Sequence, residues 1–574
     1  MSKVNLGDTP RHTFARSWRT ASQRWHSAGT YVKPRLLPAA GYRAVPSHKE
    51  SLVQRPPGGC LERACCAAAA AWLMLFAPTL AHAAPEPPPY QQADQTLETQ
   101  KAKTAPLSQD KQSAATDSSS QLPPLPTSFP LLPDIVVQAP QEVRLDNGLR
   151  VFLLEDHEVP LVKGTLLMKG GARASPPDKV GLATISAGVQ RAGGSRAHPG
   201  SALDEALEVR AASIEGGASG DAIGMGFECL TEDLGEVLGL FNEIIQEPAL
   251  PQEKLALYKS QILNLIAHRN DNTAVIPPRE LRKLIYGPDS VFARGPTATQ
   301  VAGMTQPDVA EFLQKWERPD NAVFGVAGDF DSKQAIALLN ESLGKWRPAA
   351  AQPPDPPPIP TTPIPPQEHS GRLFLVDRGG QTQASIAVGE VGIDLLDPDS
   401  FALDVLGDIM NGFGGRLFDE LRSKEGLAYS VAGGWNTTPA DHVGLFVAGG
   451  DTAKPAEFLT ALRRVLQDLR TEAPTQKALE TAKAQTLNSF VFNFASTNTQ
   501  LQRILVYSLL GLPQDYLFQY KTGIEQVTSE DVRNAAQRHL HPDDQVVVVA
   551  ADRKAFEAGL TQKFGQVELL TIDS

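Results

Sequence analysis

Arg318-Pro319-Asp320-Asn321-Ala322-Val323, running on to Ala327-Gly328-Asp329, has a counterpart in His541-Pro542-Asp543-Asp544-Gln545-Val546, running on to Ala550-Ala551-Asp552. The shift between them is 223 residues. Thr305-Gln306-Pro307-Asp308-Val309 matches Thr528-Ser529-Glu530-Asp531-Val532 at the same shift, and Gly148-Leu149-Arg150-Val151-Phe152 meets Gly371-Arg372-Leu373-Phe374. One offset shared by three blocks says that the folded part, from near Ile135, is written twice. Between the copies lies a Pro-dense stretch, Pro348 to His369, stiff and extended by composition. The expected domains are therefore 134–347 and 370–574, joined by a linker over 348–369.

Each half reads as α+β, a mostly antiparallel sheet covered by helices. The first opens with a strand pair, Gly148 to Leu154 and Val162 to Met168. Apolar residues at helical spacing (Leu234, Val237, Leu238, Leu240, Phe241, Ile244, Ile245) predict a helix over Glu232–Gln246. Thr305 and Thr528, each with Asp three residues on, are N-cap signals. A closing strand is expected in each half, at Val323–Val326 and Val546–Val549.

The 574-residue chain carries a net charge of −12, unevenly spread. Residues 1–83 carry +8, which leaves −20 for the rest. An acidic body speaks against nucleic acid as a partner and favours basic peptides weakly. Residues 1–83 read as a targeting presequence: a basic, acid-poor leader, an apolar run from Ala64 to Leu80, then Ala81-His82-Ala83 as a cleavage site of the Ala-x-Ala type. This implies export or import into an organelle, with the thylakoid lumen of a chloroplast and the bacterial periplasm both open. Whether residues 64–83 are removed or kept as an anchor is also open. Residues 84–133, rich in Pro, Gln, Ser and Thr, read as a disordered tether. Beyond residue 83 the only cysteine is Cys229, read as a core residue.

The most informative motif is Gly414-Gly415-Arg416-Leu417-Phe418-Asp419-Glu420-Leu421-Arg422-Ser423-Lys424-Glu425-Gly426-Leu427-Ala428-Tyr429-Ser430. It resembles the C-terminal-domain signature of the M16 (pitrilysin-type) zinc peptidases. The doubled plan resembles their M16B subfamily, whose tandem LuxS/M16-like metallohydrolase-type domains form a hinged shell around a peptide-sized chamber. The resemblance covers about 135–574. It implies that Arg422 holds a carbonyl or carboxylate of a peptide and that the Tyr429 hydroxyl stabilises an oxyanion. Read without it, Arg422 is an exposed helix residue paired with Glu425 or Asp419, and Tyr429 is packing.

Active members carry H-x-x-E-H early in the first half, where two His one turn apart bind zinc and the Glu is the general base. After the flank Gly181-Leu182-Ala183 this chain has Thr184-Ile185-Ser186-Ala187-Gly188. Thr184 and Gly188 match the two ligands and Ala187 the base, and none can serve. The third ligand falls on Gln261 or Asn264. No metal site of this chain's own is expected. His539-x-His541 is a close pair without a third ligand and reads as solvated loop histidines.

The resemblance therefore implies a non-catalytic, peptide-binding subunit of a heteromeric zinc peptidase. Zinc would be held by a catalytic partner with an intact H-x-x-E-H, and Arg422 and Tyr429 would act on an extended peptide in trans. The alternatives are an inactive structural subunit of a membrane or organellar complex, with Arg422 and Tyr429 as relics, and an autonomous peptidase with a metal site of another kind.

Overall fold

The computed structural model describes residues 138–347, 368–411, 414–436, 444–494 and 496–573. The presequence at 1–83, the tether at 84–133 and nearly all of the linker at 348–369 lie outside the described residues. The first half runs β1 (Gln141–Arg144), β2 (Arg150–Glu155), β3 (Leu161–Lys169), α1 (Leu182–Gly193), α2 (Gly200–Glu208), β4 (Ser213–Ala218), β5 (Ala222–Leu230), α3 (Leu234–Gln246), α4 (Gln252–His268), α5 (Ile276–Tyr286), α6 (Ala298–Gly303), α7 (Gln306–Trp316), β6 (Ala322–Gly328) and α8 (Ser332–Glu341). The second runs β7 (Leu373–Asp377), β8 (Ala384–Val391), α9 (Ser400–Met410), a π-helical turn (Phe418–Lys424), β9 (Ser430–Asn436), β10 (Leu445–Thr452), α10 (Pro455–Thr471), α11 (Gln476–Phe490), α12 (Thr497–Leu510), α13 (Tyr516–Gln526), α14 (Ser529–His539), β11 (Val546–Ala551), α15 (Arg553–Phe564) and β12 (Val567–Leu569).

The repeat shows in the element boundaries. β2 and β7, β3 and β8, and α7 and α14 each begin 223 residues apart. The two six-stranded sheets have orders β1-β2-β6-β3-β5-β4 and β12-β7-β11-β8-β10-β9. Only the first place differs in kind: β1 lies antiparallel to β2, whereas β12 comes from the chain end and lies parallel to β7. The two Thr signals are full capping boxes. Thr305 N–H donates to Asp308 at 2.8 Å and Thr528 N–H to Asp531 at 2.9 Å.

One expectation is corrected. The opening strands of the first half, β2 and β3, do not pair with each other. The closing strand β6 lies between them, parallel to β2 and antiparallel to β3. The reason is burial: six of the seven residues of β6 are buried, and a strand apolar on both faces takes a central place with neighbours on both sides. The same holds for β11, between β7 and β8.

Each sheet packs its own helices on one face and a helix of the other half on the opposite face. Leu501, Ile504, Leu505 and Leu509 of α12 pack with Phe152, Leu154, Leu167 and Val323 of the first sheet. Ile276, Leu281 and Ile285 of α5 pack with Phe374, Val376, Ala387, Val546 and Val548 of the second. The exchanged helices occupy the same place in the repeat. A glycine admits each of them: a Cβ on Gly325 of β6 would lie 2.7 Å from Leu505 Cδ1, and one on Gly389 of β8 would lie 2.8 Å from Leu281 Cδ2. Polar contacts add to the exchange, with Gln502 donating to Thr165 and Thr497 to Asp156.

Because each half completes the other's core, the described body should unfold in one transition. Leu505→Ala, at a side chain with no exposure, should lower that transition by about 2–5 kcal/mol without splitting it. Urea unfolding followed by both circular dichroism and tryptophan fluorescence checks this. Separate transitions for the two halves would refute it.

Candidate functional site

The helix that matches the metal-binding segment is α1. Gly181 precedes it at φ 96°, the left-handed region where glycine carries no Cβ penalty. Leu182, Ala183, Ile185, Ser186, Ala187, Gly188, Val189 and Gln190 are buried on it, while Thr184 is exposed. Packed against it is α4, which carries Gln261 and Asn264, both exposed. Where a Cβ would stand on Gly188, the Tyr258 ring of α4 approaches to 2.3 Å. The place of the second ligand is thus filled by an aromatic ring. The donor set here consists of one threonine hydroxyl, a methyl group, a glycine, two amides and a phenol, with no imidazole, thiolate or carboxylate. It does not fit a zinc ion.

The buried side of α1 holds a polar cluster that sequence reasoning missed. Gln190 Nε2 donates to Glu317 Oε2 at 2.7 Å and to the Ile244 carbonyl at 3.3 Å. Ser186 Oγ, Gln190 Oε1 and Glu317 Oε1 have no hydrogen-bond partner among the described residues. Burial pushes the Glu317 carboxyl up to about 8, against a lowering by Gln190, so it holds its proton at neutral pH.

The second-half motif is built on an unusual turn. From Phe418 to Lys424 the chain is π-helical, and it ends on Gly426 at φ 61°. Leu421 and Leu427 anchor it in the core, and Leu427 N–H donates to the Leu421 carbonyl at 2.8 Å. The Thr452 hydroxyl donates to the Leu427 carbonyl, which ties the turn to β10. Between these anchors the guanidinium of Arg422 lies 4.8 Å from the Phe418 ring centroid and 5.2 Å from that of Tyr429. Such stacking is worth about 0.5–1 kcal/mol at an exposed site. Tyr429 is 77% exposed, so it is not a packing residue.

Two neighbouring carboxylates are taken by other cations. Glu425 pairs with Arg464 at 2.6 Å, and Glu420 with Lys424 at 2.6 Å and Arg464 at 3.7 Å. The hydrogen bond from Lys424 holds the Glu420 carboxyl below its ordinary value. Among the described residues no carboxylate pairs with Arg422, which corrects the reading that placed it on Glu425 or Asp419. Its donors face outward beside an accessible phenol. No hydrogen bond, ion pair or ring contact among the described residues joins Arg422 or Tyr429 to Thr184, Ala187 or Gly188.

The histidine pair is also corrected. His539 Nε2 lies 2.8 Å from Asp399, and His541 Nδ1 lies 2.7 Å from the buried Glu390. Each is held by its own carboxylate rather than left to solvent. Asp397, Asp399 and His539 are close enough to share a cation, but Arg538 already donates to both oxygens of Asp399, at 2.7 and 2.6 Å. Cys229 is buried as expected, and burial pushes its thiol up to about 12.

Residues 303–486 match the family model described as "Peptidase M16 inactive domain". "Non-peptidase homolog YmxG" of Helicobacter pylori is 22% identical over 413 residues, covering 70% of this chain and 92% of that protein. "Uncharacterized zinc protease SCO5738" of Streptomyces coelicolor is 26% identical over 336 residues, covering 57% of this chain and 72% of the relative. Two solved structures share the fold. The peptidase M16 inactive domain from Pseudomonas fluorescens has a TM-score of 0.62 at 24% identity, covering 72% of this chain and 98% of that one. The periplasmic protease PqqL from Escherichia coli has a TM-score of 0.62 at 16% identity, covering 73% of this chain and 46% of that one.

Two expectations follow. Gly188→His, made together with Thr184→His and Ala187→Glu, should destabilise the fold by about 1–3 kcal/mol through collision with Tyr258. Adding Tyr258→Ala should relieve part of that loss, as thermal unfolding will show. Glu317 titrates near 4.5 when unfolded and near 8 when folded, so between these values the unfolded state binds fewer protons. Its contribution to stability therefore falls as pH rises from about 4.5 to about 8 and levels off above. Glu317→Gln should flatten that fall, as measured by urea unfolding across this range.

Proposed function

We propose that the chain is a member of the M16 peptidase family that serves as a non-catalytic, peptide-binding subunit beside a catalytic M16 chain carrying an intact H-x-x-E-H. The observation that carries this reading is the Arg422 stack. A guanidinium held between Phe418 and Tyr429, exposed and with no carboxylate partner among the described residues, is poised for an acceptor from outside the chain. In the same chain α1 offers no ligand for zinc, so zinc would belong to the partner alone. The inactive-domain family match and the relative named a non-peptidase homologue support a chain that does not cleave peptides by itself.

Within this reading each residue has a distinct task. Arg422 offers several N–H donors in a planar fork and binds a peptide carbonyl or carboxylate. Stacking on two rings restricts its rotation before the peptide arrives, so less entropy is lost on binding. The Tyr429 hydroxyl, accessible and just before β9, donates to the oxyanion that forms as the peptide carbonyl becomes tetrahedral. The partner's metal supplies the activated water; this chain supplies grip and one donor. The protein is exported, in keeping with its leader and with a periplasmic protease among its structural relatives. Among the described residues no helix is long and apolar enough to cross a membrane.

The test is to purify this chain together with an M16 chain bearing H-x-x-E-H and to assay peptide cleavage. Tyr429→Phe should lower kcat by about 10²–10³-fold, the usual loss for one oxyanion donor. Arg422→Ala should mainly raise KM. Unchanged kinetics in both variants would turn the reading toward a purely structural subunit. One zinc bound tightly by this chain alone would overturn the non-catalytic assignment.

A further inference from the structure

The side chain of Tyr429 is exposed, but the backbone that carries it is anchored from below. The ladder between β9 and β10 ends at the pair Ser430 and Asp451. One step further, the same register sets Tyr429 opposite Thr452, the last residue of β10. There the strand uses a side chain to reach the turn. The Thr452 hydroxyl donates to the carbonyl of Leu427, two residues before Tyr429, and accepts from the Lys454 N–H at 2.9 Å. Lys454 is the N-cap of α10, so one hydroxyl joins the turn, the strand end and the helix start.

Thr452 is 2% exposed, on the face of β10 that carries the buried Phe446 and Ala448. Leu427 belongs to the same core. Gly426, at φ 61°, is the most permissive point of the backbone here, and its two neighbours are both held. On one side Arg464 of α10 pairs with Glu425 at 2.6 Å; on the other Thr452 holds Leu427. The two grips are unequal. The Arg464–Glu425 pair is open to solvent and contributes little. The Thr452 bond is buried, and losing it would leave the Leu427 carbonyl without its hydroxyl donor away from water. Thr452 therefore sets where the backbone leaves the core toward Tyr429.

We propose that Thr452 is a positioning residue for Tyr429: its hydroxyl fixes the Leu427 carbonyl so that the Tyr429 phenol stands where the oxyanion forms. The inference rests on the reading of Tyr429 as the oxyanion donor. Such a donor must lie about 3 Å from the oxygen it stabilises, and a shift of about 1 Å can cost on the order of 10²-fold in rate. The loss falls on kcat, because the oxyanion is absent from the ground state. Arg422 stands before Gly426 and keeps its stack on Phe418, so the hold on the uncleaved peptide, read in KM, changes little.

The test uses this chain purified together with the chain bearing H-x-x-E-H, an internally quenched peptide as probe, and Thr452→Val, which keeps the shape and loses the hydroxyl. kcat should fall by about 10- to 100-fold while KM stays within about twofold. In a Tyr429→Phe background the same substitution should change kcat by less than about twofold, since no hydroxyl is left to place. Thr452→Ser should restore most of the rate. An equal loss in both backgrounds would overturn the positioning role, as would a Ser variant as slow as the Val variant. Unchanged kcat in Thr452→Val beside a slow Tyr429→Phe would also overturn it and leave the oxyanion reading standing. If Tyr429→Phe cleaves as fast as the wild type, both fall. Thermal unfolding checks that each variant folds. Should the Val variant not fold, Thr452→Ala in the same two backgrounds supplies the comparison.

Discussion

The structure depends on a reciprocal exchange: α12 of the second half covers the first sheet, and α5 of the first half covers the second. Without it each sheet would present a broad apolar face, with Phe152, Leu154 and Leu167 on one and Phe374, Val376 and Val548 on the other. The close approach is set by two glycines at equivalent roles, Gly325 and Gly389, where a side chain would collide with a leucine of the arriving helix. Everything functional is hung on this frame. The turn bearing Arg422 leads into β9 at the edge of the second sheet, and the α1 segment packs beside β4 at the edge of the first.

The two edges have been built for different ends. On α1 polar chemistry has been turned inward or removed: Gly188 gives its space to Tyr258, and Glu317 is sealed behind the helix as a protonated acid. At β9 polar chemistry is turned outward. Glu420, Glu425 and Arg464 form an ion-pair group of their own, which leaves Arg422 to two aromatic rings. A cation that stacks instead of pairing keeps its donors in the plane available, because a ring face occupies none of them.

Much of this was legible in the sequence. The 223-residue offset gives both halves, their closing strands and their N-caps, since turns and caps depend on local chemistry at fixed spacing. The absence of metal-ligand side chains at Thr184, Ala187 and Gly188 is likewise a matter of residue type. Strand neighbours were not legible. β2 and β3 look like a hairpin because they are adjacent in sequence, and only the burial of β6 on both faces places it between them. Tyr258 and Phe418 were missed because their roles lie in contacts across elements, and nothing in their local sequence marks them. The exchange of α5 and α12 left no signal, because an apolar helix stripe does not name the sheet that will receive it.

The reciprocal packing has a consequence for how the chain holds together. Two equivalent units, each lending its helix to the other, have the geometry of a domain-swapped dimer whose subunits have been fused. In such an object the covalent connection adds local concentration, while cohesion comes from the exchanged surfaces. A cut between residues 347 and 368 would then leave a two-chain particle rather than two fragments. By the same logic, a free first half would expose the apolar sheet that α12 covers and seek a second half, or another copy of itself, to cover it.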